Sequence, residues 1–255
     1  MHESSIIDKP FLSVAMITFN EERIIEKTIS ALHNWVDEII VVDSYSTDNT
    51  LNILEMFNVI LYKEQWQGYS KQKNLAISKC TGKWILALDA DEIVNQKLQD
   101  EIVHITKNPG QYAGFKIPRK FYMGKRWIKY GGYYPDAQFR LFKGNLDAGF
   151  KERAVHESIE VNDFLVGMLK NPIEHYAYKD ISDYKKNMEK YAKLAACEIK
   201  NKEFYLPYLH AFWAFIYRYI FRLGFLEGKL GFDLSRVYCE YVYKKYSLAI
   251  KLNKS

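Results

Sequence analysis

Hydrophobic positions in the first half of the chain fall into short runs, separated by longer segments in which apolar residues recur every three or four positions. Such runs are typical of strands buried on both faces of a sheet, and the longer segments are typical of amphipathic helices. The runs cover residues 11–17, 38–42, 59–62 and 84–88. Strands that alternate with helices in this order predict an α/β protein with a mostly parallel, Rossmann-like sheet.

Carboxylates follow two of these predicted strands at the point where each strand ends. Asp43 follows the second strand, and Asp89, Asp91 and Glu92 follow the fourth. Ligands of open α/β sheets bind beyond the carboxyl ends of the strands. In an extended chain the Cα atoms of Asp89 and Asp91 would lie roughly 6.5–7 Å apart, with both side chains on the same side. A divalent cation such as Mg²⁺ or Mn²⁺ relieves the repulsion between two carboxylates at that spacing.

The same acids have a structural alternative. A helix predicted over residues 93–105 would follow them directly, and acidic side chains stabilise the N-terminus of a helix. From the residues alone, capping and ligand binding are equally good explanations of Asp89 and Asp91. Glu92 is the acid for which we expect the capping role.

From residue 112 onwards the pattern changes to short β-like pieces separated by Gly and Pro, and then to helices. The pieces cover residues 113–118, 121–129 and 138–142, and an amphipathic helix is predicted over residues 181–200. The pattern predicts a main domain at 1–178, with halves at 1–110 and 111–178, and an aromatic-rich helical extension at 179–255.

Absent motifs, net charge and cysteine content narrow the class of protein. Neither a dinucleotide-binding Gly-x-Gly-x-x-Gly nor a P-loop follows the first strand, which argues against NAD enzymes and P-loop NTPases. A net charge of +5 favours anionic ligands without indicating nucleic acid. Three scattered cysteines and a polar segment at residues 1–9 predict reduced thiols in a cytoplasmic protein.

Several short motifs, taken in order, resemble those of the family 2 glycosyltransferases with the GT-A fold. They are similar in particular to the branch that includes lipopolysaccharide core glucosyltransferases. The motifs lie at residues 13–21, 41–48, 72–74 and 86–92, and those of the narrower branch lie at 134–136, 140–142 and 155–157. The resemblance implies a nucleotide-sugar-binding half, an acceptor half and a divalent metal, Mn²⁺ or Mg²⁺.

The resemblance also implies roles for individual residues. Asp91 would bind the metal that bridges the diphosphate of the donor, and Asp89 would contact the ribose or join the metal ligands. Lys73 would reach the pyrophosphate as a point charge, although many relatives carry Arg there. The remaining residues of the implied nucleotide pocket are Thr18, Asn20, Glu21, Asp43 and Ser46. Asp43 and Asp48 have an alternative role, which is to organise a turn.

Family members invert the anomeric centre, so the attacking hydroxyl of the acceptor needs a base. Glu157 and Asp136 are the two candidates, because each is an isolated carboxylate among aromatic or apolar neighbours. We favour Glu157, and either residue has the alternative of pairing with Arg140 or Arg153. His156 is a candidate metal ligand or diphosphate donor, with a purely structural role as the alternative.

The favoured function is transfer of a hexose, expected to be glucose from a UDP-linked donor, to a lipid-anchored core oligosaccharide such as the lipopolysaccharide inner core. Transfer to a polyprenyl phosphate and non-catalytic binding of a nucleotide sugar are the alternatives. The aromatic segment at residues 205–255 is interrupted by Arg218 and Arg222 and predicts either packing on the catalytic domain or contact with the inner face of the cytoplasmic membrane.

Overall fold

The computed structural model describes residues 11–146, 149–150, 165–199 and 206–254. The chain forms two compact units. The first comprises residues 1–118, 137–152 and 157–173, and the second comprises 119–136, 153–156 and 174–255. The domain boundaries expected from the sequence stay a prediction.

The first unit contains a seven-stranded sheet. Its strands are β1 (Leu12–Thr18), β2 (Glu38–Asp43), β3 (Ile60–Lys63), β4 (Trp84–Asp89), β6 (Gly114–Ile117), β9 (Gln138–Lys143) and β10 (Val166–Met168). Their order in the sheet is β10-β6-β9-β4-β1-β2-β3. Strand β1 pairs in parallel with β2 and β4, and β2 pairs in parallel with β3. Strand β9 runs antiparallel to both β4 and β6. The predicted α/β class with a mostly parallel sheet is confirmed.

Apolar cores cover both faces of the central strands, which explains their uninterrupted hydrophobic sequence. On β1, Val14 and Met16 belong to one buried cluster, whereas Ala15 between them belongs to a second cluster on the other face. The helices of this unit are α1 (Ile25–Ser30), α2 (Thr50–Glu55), α3 (Tyr69–Lys79) and α4 (Gln96–Lys107). Both faces of the sheet are therefore buried, and its carboxyl edge is left for polar loops.

The start of α4 corrects one prediction. The helix begins at Gln96 and not at residue 93, because the Asn95 side chain accepts a hydrogen bond from the Leu98 amide and caps it there. Residues Glu92–Ile93 form a short strand, β5. The acids after β4 therefore lie before the helix and do not cap it, so the capping role expected for Glu92 is wrong.

The second unit combines short strands with the C-terminal helices. Strands β7 (Arg119–Met123) and β8 (Arg126–Ile128) form an antiparallel hairpin, with β11 (Ile173–Tyr178) beside β7. The single strand predicted over residues 121–129 is thus wrong, because Gly124, with φ of 57°, turns the chain in its middle. The helices are α5 (Ile181–Glu198), α6 (Pro207–Ile216) and α7 (Lys229–Lys254), with a π-helical turn at Tyr217–Phe221 and a 3₁₀ turn at Gly224–Glu227.

A half-buried arginine links separate segments of this helical unit. The Arg218 guanidinium donates to the Gly131 carbonyl at 2.8 Å and lies 3.8 Å from the ring centre of Tyr238 and 4.9 Å from that of Tyr133. Burial raises the pKa of the Tyr184 hydroxyl, which is hydrogen-bonded to that of Tyr133 at 3.1 Å. Arg218 is therefore an internal cation and not part of an exposed polar edge. None of the helices in the described ranges is long and apolar enough to cross a bilayer.

Candidate active site

Hydrogen bonds join the loop after β1 to the loop after β2 at the carboxyl edge of the sheet. The Asn20 amide donates to the Ser46 hydroxyl at 2.9 Å, and the Asn20 side-chain oxygen accepts from the Thr47 amide at 2.8 Å. The Glu21 amide donates to the Thr50 hydroxyl at 2.8 Å. Asn20 has a φ of 57°, a left-handed conformation that Asn tolerates better than most residues. Three of the predicted donor-site residues, Asn20, Glu21 and Ser46, are thus brought together.

Asp43 is fully buried at the end of β2. One of its carboxylate oxygens accepts from the Ser46 amide at 2.8 Å, and the other accepts from the Ser46 hydroxyl at 2.5 Å. The turn-organising alternative therefore describes bonds that Asp43 makes in this structure. Its predicted role toward the nucleotide would use the remaining lone pairs of the same oxygens.

Thr18 ends β1, beside Asp43 in the parallel register. Its side chain is buried, and its hydroxyl has no hydrogen-bond partner among the residues that the structure describes. A buried hydroxyl without a hydrogen bond destabilises the folded protein unless a ligand or a water molecule bonds to it. This position fits the predicted contact of Thr18 with a polar ligand.

Asp89 ends β4 and lies between two cationic side chains. Lys73 Nζ is 2.7 Å from one carboxylate oxygen of Asp89, and an Arg140 guanidinium nitrogen is 2.6 Å from the other. The same nitrogen lies 2.9 Å from Glu92, whose second oxygen accepts from the Asp89 amide at 3.0 Å. These contacts fix the orientation of the Asp89 carboxylate, which keeps about a quarter of its side chain (24%) accessible to solvent.

The acids after β4 fit one mode of metal binding. Mg²⁺ is usually held by one or two protein carboxylates together with substrate phosphates and water. Asp89 and the half-buried Asp91 are the carboxylates in place for that mode. Within the described ranges no group of three His, Cys, Asp or Glu residues is arranged as a metal site. Metal binding by Asp91 and Asp89 stays a prediction.

The candidate bases are found in different states. Asp136 belongs to the second unit, where its carboxylate accepts from Arg119 Nε at 3.0 Å and its carbonyl accepts from the Arg119 amide at 3.1 Å. Arg140 binds Asp89 and Glu92 instead, and the pairing of Asp136 with Arg140 considered from the sequence stays a prediction. Glu157, His156 and Arg153 lie outside the described residues.

Sequence reasoning missed two residues that shape the site. Arg140 belongs to a motif of the narrower branch. The sequence did not predict that its strand, β9, pairs antiparallel with β4 and so carries Arg140 to Asp89. Gln72 is buried on α3 and donates to the Ser44 hydroxyl at 2.9 Å and to the Glu64 carbonyl at 3.2 Å. A polar side chain among the inward positions of an amphipathic helix was the available signal for Gln72.

Comparison with known proteins gives matches over most of the first unit. The family model described as Glycosyl transferase family 2 matches residues 13–164. An uncharacterized glycosyltransferase of Rickettsia typhi is 38% identical over 133 residues, which are 51% of this chain and 42% of the relative. The lipopolysaccharide core biosynthesis glycosyltransferase LpsC of Rhizobium meliloti is 31% identical over 167 residues, 60% of this chain and 58% of LpsC. The match thus spans less than two thirds of either relative.

Solved structures also align with the chain. The crystal structure of S. aureus TarS 1–349 in complex with UDP-GlcNAc aligns with a TM-score of 0.49 and 18% identity, over 96% of this chain and 91% of that one.

Proposed function

This chain belongs to glycosyl transferase family 2, and from that premise we propose that it is an inverting, metal-dependent glycosyltransferase for a lipid-anchored acceptor. It moves a hexose, which we take to be glucose, from a UDP-linked donor to a core oligosaccharide such as the lipopolysaccharide inner core. The observation that carries the donor half of the proposal is the Asp89 carboxylate, held by Lys73 and Arg140 at the carboxyl end of a central strand.

The residues around Asp89 divide the work of donor binding. Asp89 accepts a hydrogen bond from the ribose or joins Asp91 as a metal ligand, and Lys73 and Arg140 orient its carboxylate. Asp91 holds the divalent ion, Mn²⁺ or Mg²⁺, which when bound neutralises charge on the diphosphate. Thr18, Asn20, Glu21, Asp43 and Ser46 form the nucleotide side of the pocket.

Transfer needs one proton acceptor. The acceptor hydroxyl attacks the anomeric carbon of the donor while the bond between that carbon and the diphosphate breaks. The proton of the hydroxyl passes to a carboxylate. We propose Glu157 as that base. Asp136 is the weaker candidate, since its carboxylate is already paired with Arg119. His156 is proposed as a further metal or diphosphate contact.

The core oligosaccharide acceptor is supported by the similarity to LpsC, whose name describes a lipopolysaccharide core biosynthesis glycosyltransferase. An acceptor anchored in lipid places the enzyme at a membrane surface. We therefore propose peripheral attachment at the inner face of the cytoplasmic membrane through residues 205–255. Membership of a glycosyltransferase family supports catalysis over the alternative of a non-catalytic binding module.

Two substitutions test the scheme. Glu157→Gln and Asp91→Ala should each abolish sugar transfer, but only Asp91→Ala should weaken metal-dependent donor binding, measured by calorimetry with UDP and Mn²⁺. Glu55→Gln, at an exposed glutamate that ends α2, is the matched control and should leave both measurements unchanged. Full turnover by Asp91→Ala would contradict the proposal. Activity that survives loss of both Glu157 and Asp136 would indicate a polyprenyl phosphate acceptor, which is itself an anion and needs no strong base.

A further inference from the structure

Helix α6 and the π-helical turn after it expose a row of large apolar side chains on one face. The side chains of Phe212 and Phe221 are 64% and 62% exposed, and the Trp213 ring lies 5.7 Å from that of Phe221. We call this surface the apolar ridge, and its members are Tyr208, Leu209, Phe212, Trp213, Ile220 and Phe221. Exposed apolar surface of this kind marks a binding face.

The ridge is not interrupted by the arginine in its sequence. Arg218 lies between its two ends along the chain, but its guanidinium is turned inward, where it donates to the Gly131 carbonyl and stacks on Tyr238. The side of the helix that packs against α7 includes the buried Ala211. The exposed face is therefore mainly apolar, with the Arg218 guanidinium directed into the protein. The exposed His210, whose ring lies 4.7 Å from that of Tyr246, borders it.

Exposed cations follow the ridge, and we call them the basic rim. Two of them, Arg222 and Lys229, come after the ridge in the chain, and the others come from the β7–β8 hairpin. The members of the rim are Lys125, Arg126, Lys129, Arg222 and Lys229.

Hydrogen bonds fix the hairpin to the segment that follows the ridge. Arg126 donates to the Glu227 carboxylate at 2.9 Å, and the Lys129 amide donates to the same side chain at 2.8 Å. The Gly131 amide donates to the Arg222 carbonyl at 2.8 Å. The rim is thus assembled from two separate stretches of the second unit.

The charge of this surface is mainly positive, although Asp233, 3.9 Å from Arg236, lies beside Arg126 and Lys229. Glu227 is the single acidic residue between positions 206 and 230, and it is 6% exposed. Its carboxylate is occupied by Arg126 and by the amides of Lys129 and Tyr130. An apolar face bordered by cations, with Trp and Tyr among its rings, complements a bilayer whose headgroups are anionic.

We propose that the apolar ridge and the basic rim together form the contact with an anionic lipid surface, the ridge entering the headgroup region and the rim binding phosphate. This goes beyond attachment through residues 205–255, because it assigns three of the five cations to a hairpin outside that segment. It rests on the proposed function only for the identity of the acceptor.

Co-flotation of the full-length protein with vesicles tests the proposal. Phosphatidylcholine vesicles with phosphatidylglycerol should bind the protein, and vesicles of phosphatidylcholine alone should bind it much less. Lys125→Glu/Lys129→Glu should weaken binding to the anionic vesicles at least about tenfold, since each cation near such a surface contributes about 1 kcal/mol. Lys27→Glu/Lys97→Glu reverses the same number of exposed charges in the first unit and should leave binding unchanged.

The ridge has its own matched pair of variants. Phe212→Ser/Phe221→Ser should abolish vesicle binding, whereas Met56→Ser/Met168→Ser, at side chains 67% and 59% exposed in the first unit, should not. Thermal unfolding checks that each variant folds, and thermal stabilisation by UDP with Mn²⁺ tests the donor site separately. Retained vesicle binding by either the hairpin variant or the ridge variant would overturn the inference. So would a native dimer that the ridge variant converts to monomers, because the ridge would then be a self-interface.

Discussion

The guanidinium of Arg140 lies 2.6 Å from the carboxylate of Asp89, although 51 residues separate them in the chain. The same Arg140 nitrogen donates to Glu92, which is fully buried, so one guanidinium links two carboxylates. Asp89 and the turn that carries Asp91 therefore depend on a side chain from the neighbouring antiparallel strand.

Replacement of Arg140 by Ala should destabilise the protein strongly. It leaves Glu92 buried without its cation, and removal of one partner from a buried pair costs about 3–5 kcal/mol of unfolding free energy. Arg140→Lys keeps the charge and should recover part of that loss. Chemical denaturation measures both. Arg236→Ala removes an exposed arginine paired with Glu240 and should cost less than about 1 kcal/mol. An equal effect of the two Ala variants would contradict the role of Arg140.

Replacement of Lys73 by Ala should affect donor binding more than stability. Lys73 contacts Asp89 at 2.7 Å near the surface, and a charge-assisted hydrogen bond contributes roughly 1.5–3 kcal/mol, or about ten- to a hundredfold in affinity. We expect the UDP affinity of Lys73→Ala to fall by this factor, and we expect Lys73→Arg to retain most of the wild-type affinity. Lys71→Ala, at an exposed lysine on the same helix, is the control. Unchanged UDP affinity in Lys73→Ala would remove Lys73 from the donor site.

Two substitutions at Asn20 separate its backbone from its side chain. In Asn20→Gly the new glycine adopts a φ of 57° readily, but the hydrogen bond from the Thr47 amide to the Asn20 side chain is lost. Asn20→Ala loses the bond and adds backbone strain, so it should be the less stable by about 1 kcal/mol. Urea denaturation measures the difference. Equal stabilities would show that the left-handed conformation carries no cost.

The thiol of Cys80 should be nearly inert in the folded protein. Burial, together with the nearby charge of Glu38, raises its pKa from 9.0 to about 12. At pH 8 only about one thiol in ten thousand is then a thiolate, the form that reacts. Protonation of Cys80 thus favours the folded state fully below pH 9.0, and this contribution is lost as the pH rises toward 12.

Alkylation with iodoacetamide measures this difference, with Cys197 as the internal control because its side chain is exposed. Cys197 should react first in the native protein, and the two should react at similar rates in urea. Rapid native labelling of Cys80 would contradict its burial.

The central strands and their acidic ends could be predicted from the sequence, because a strand buried on both faces has an apolar run that needs no knowledge of its partners. Asp89 at the end of β4 is such a case. The partner of Asp89 could not be predicted, since it depends on the register of β9, in which Leu141 lies opposite Leu86. Hydrophobic periodicity carries no information about that pairing.

The boundary of α4 shows the same limit on a local scale. Acids at positions 91 and 92 resemble a helix start, but Asn95 caps the helix three residues later than expected. The internal position of Arg218 was equally hidden, because its aromatic neighbours Tyr133 and Tyr238 come from distant segments. A local cap decided where α4 begins, whereas long-range contacts decided the role of Arg218.

Release of UDP from a panel of UDP-hexoses, measured with Mn²⁺ and with EDTA, separates a metal-dependent donor site from a metal-independent one. Wild-type protein should hydrolyse at least one UDP-hexose slowly when Mn²⁺ is present, EDTA should stop the reaction, and Asp91→Ala should be inactive under both conditions. Hydrolysis at the same rate in EDTA, or by Asp91→Ala, would contradict a metal-dependent donor site at the end of β4.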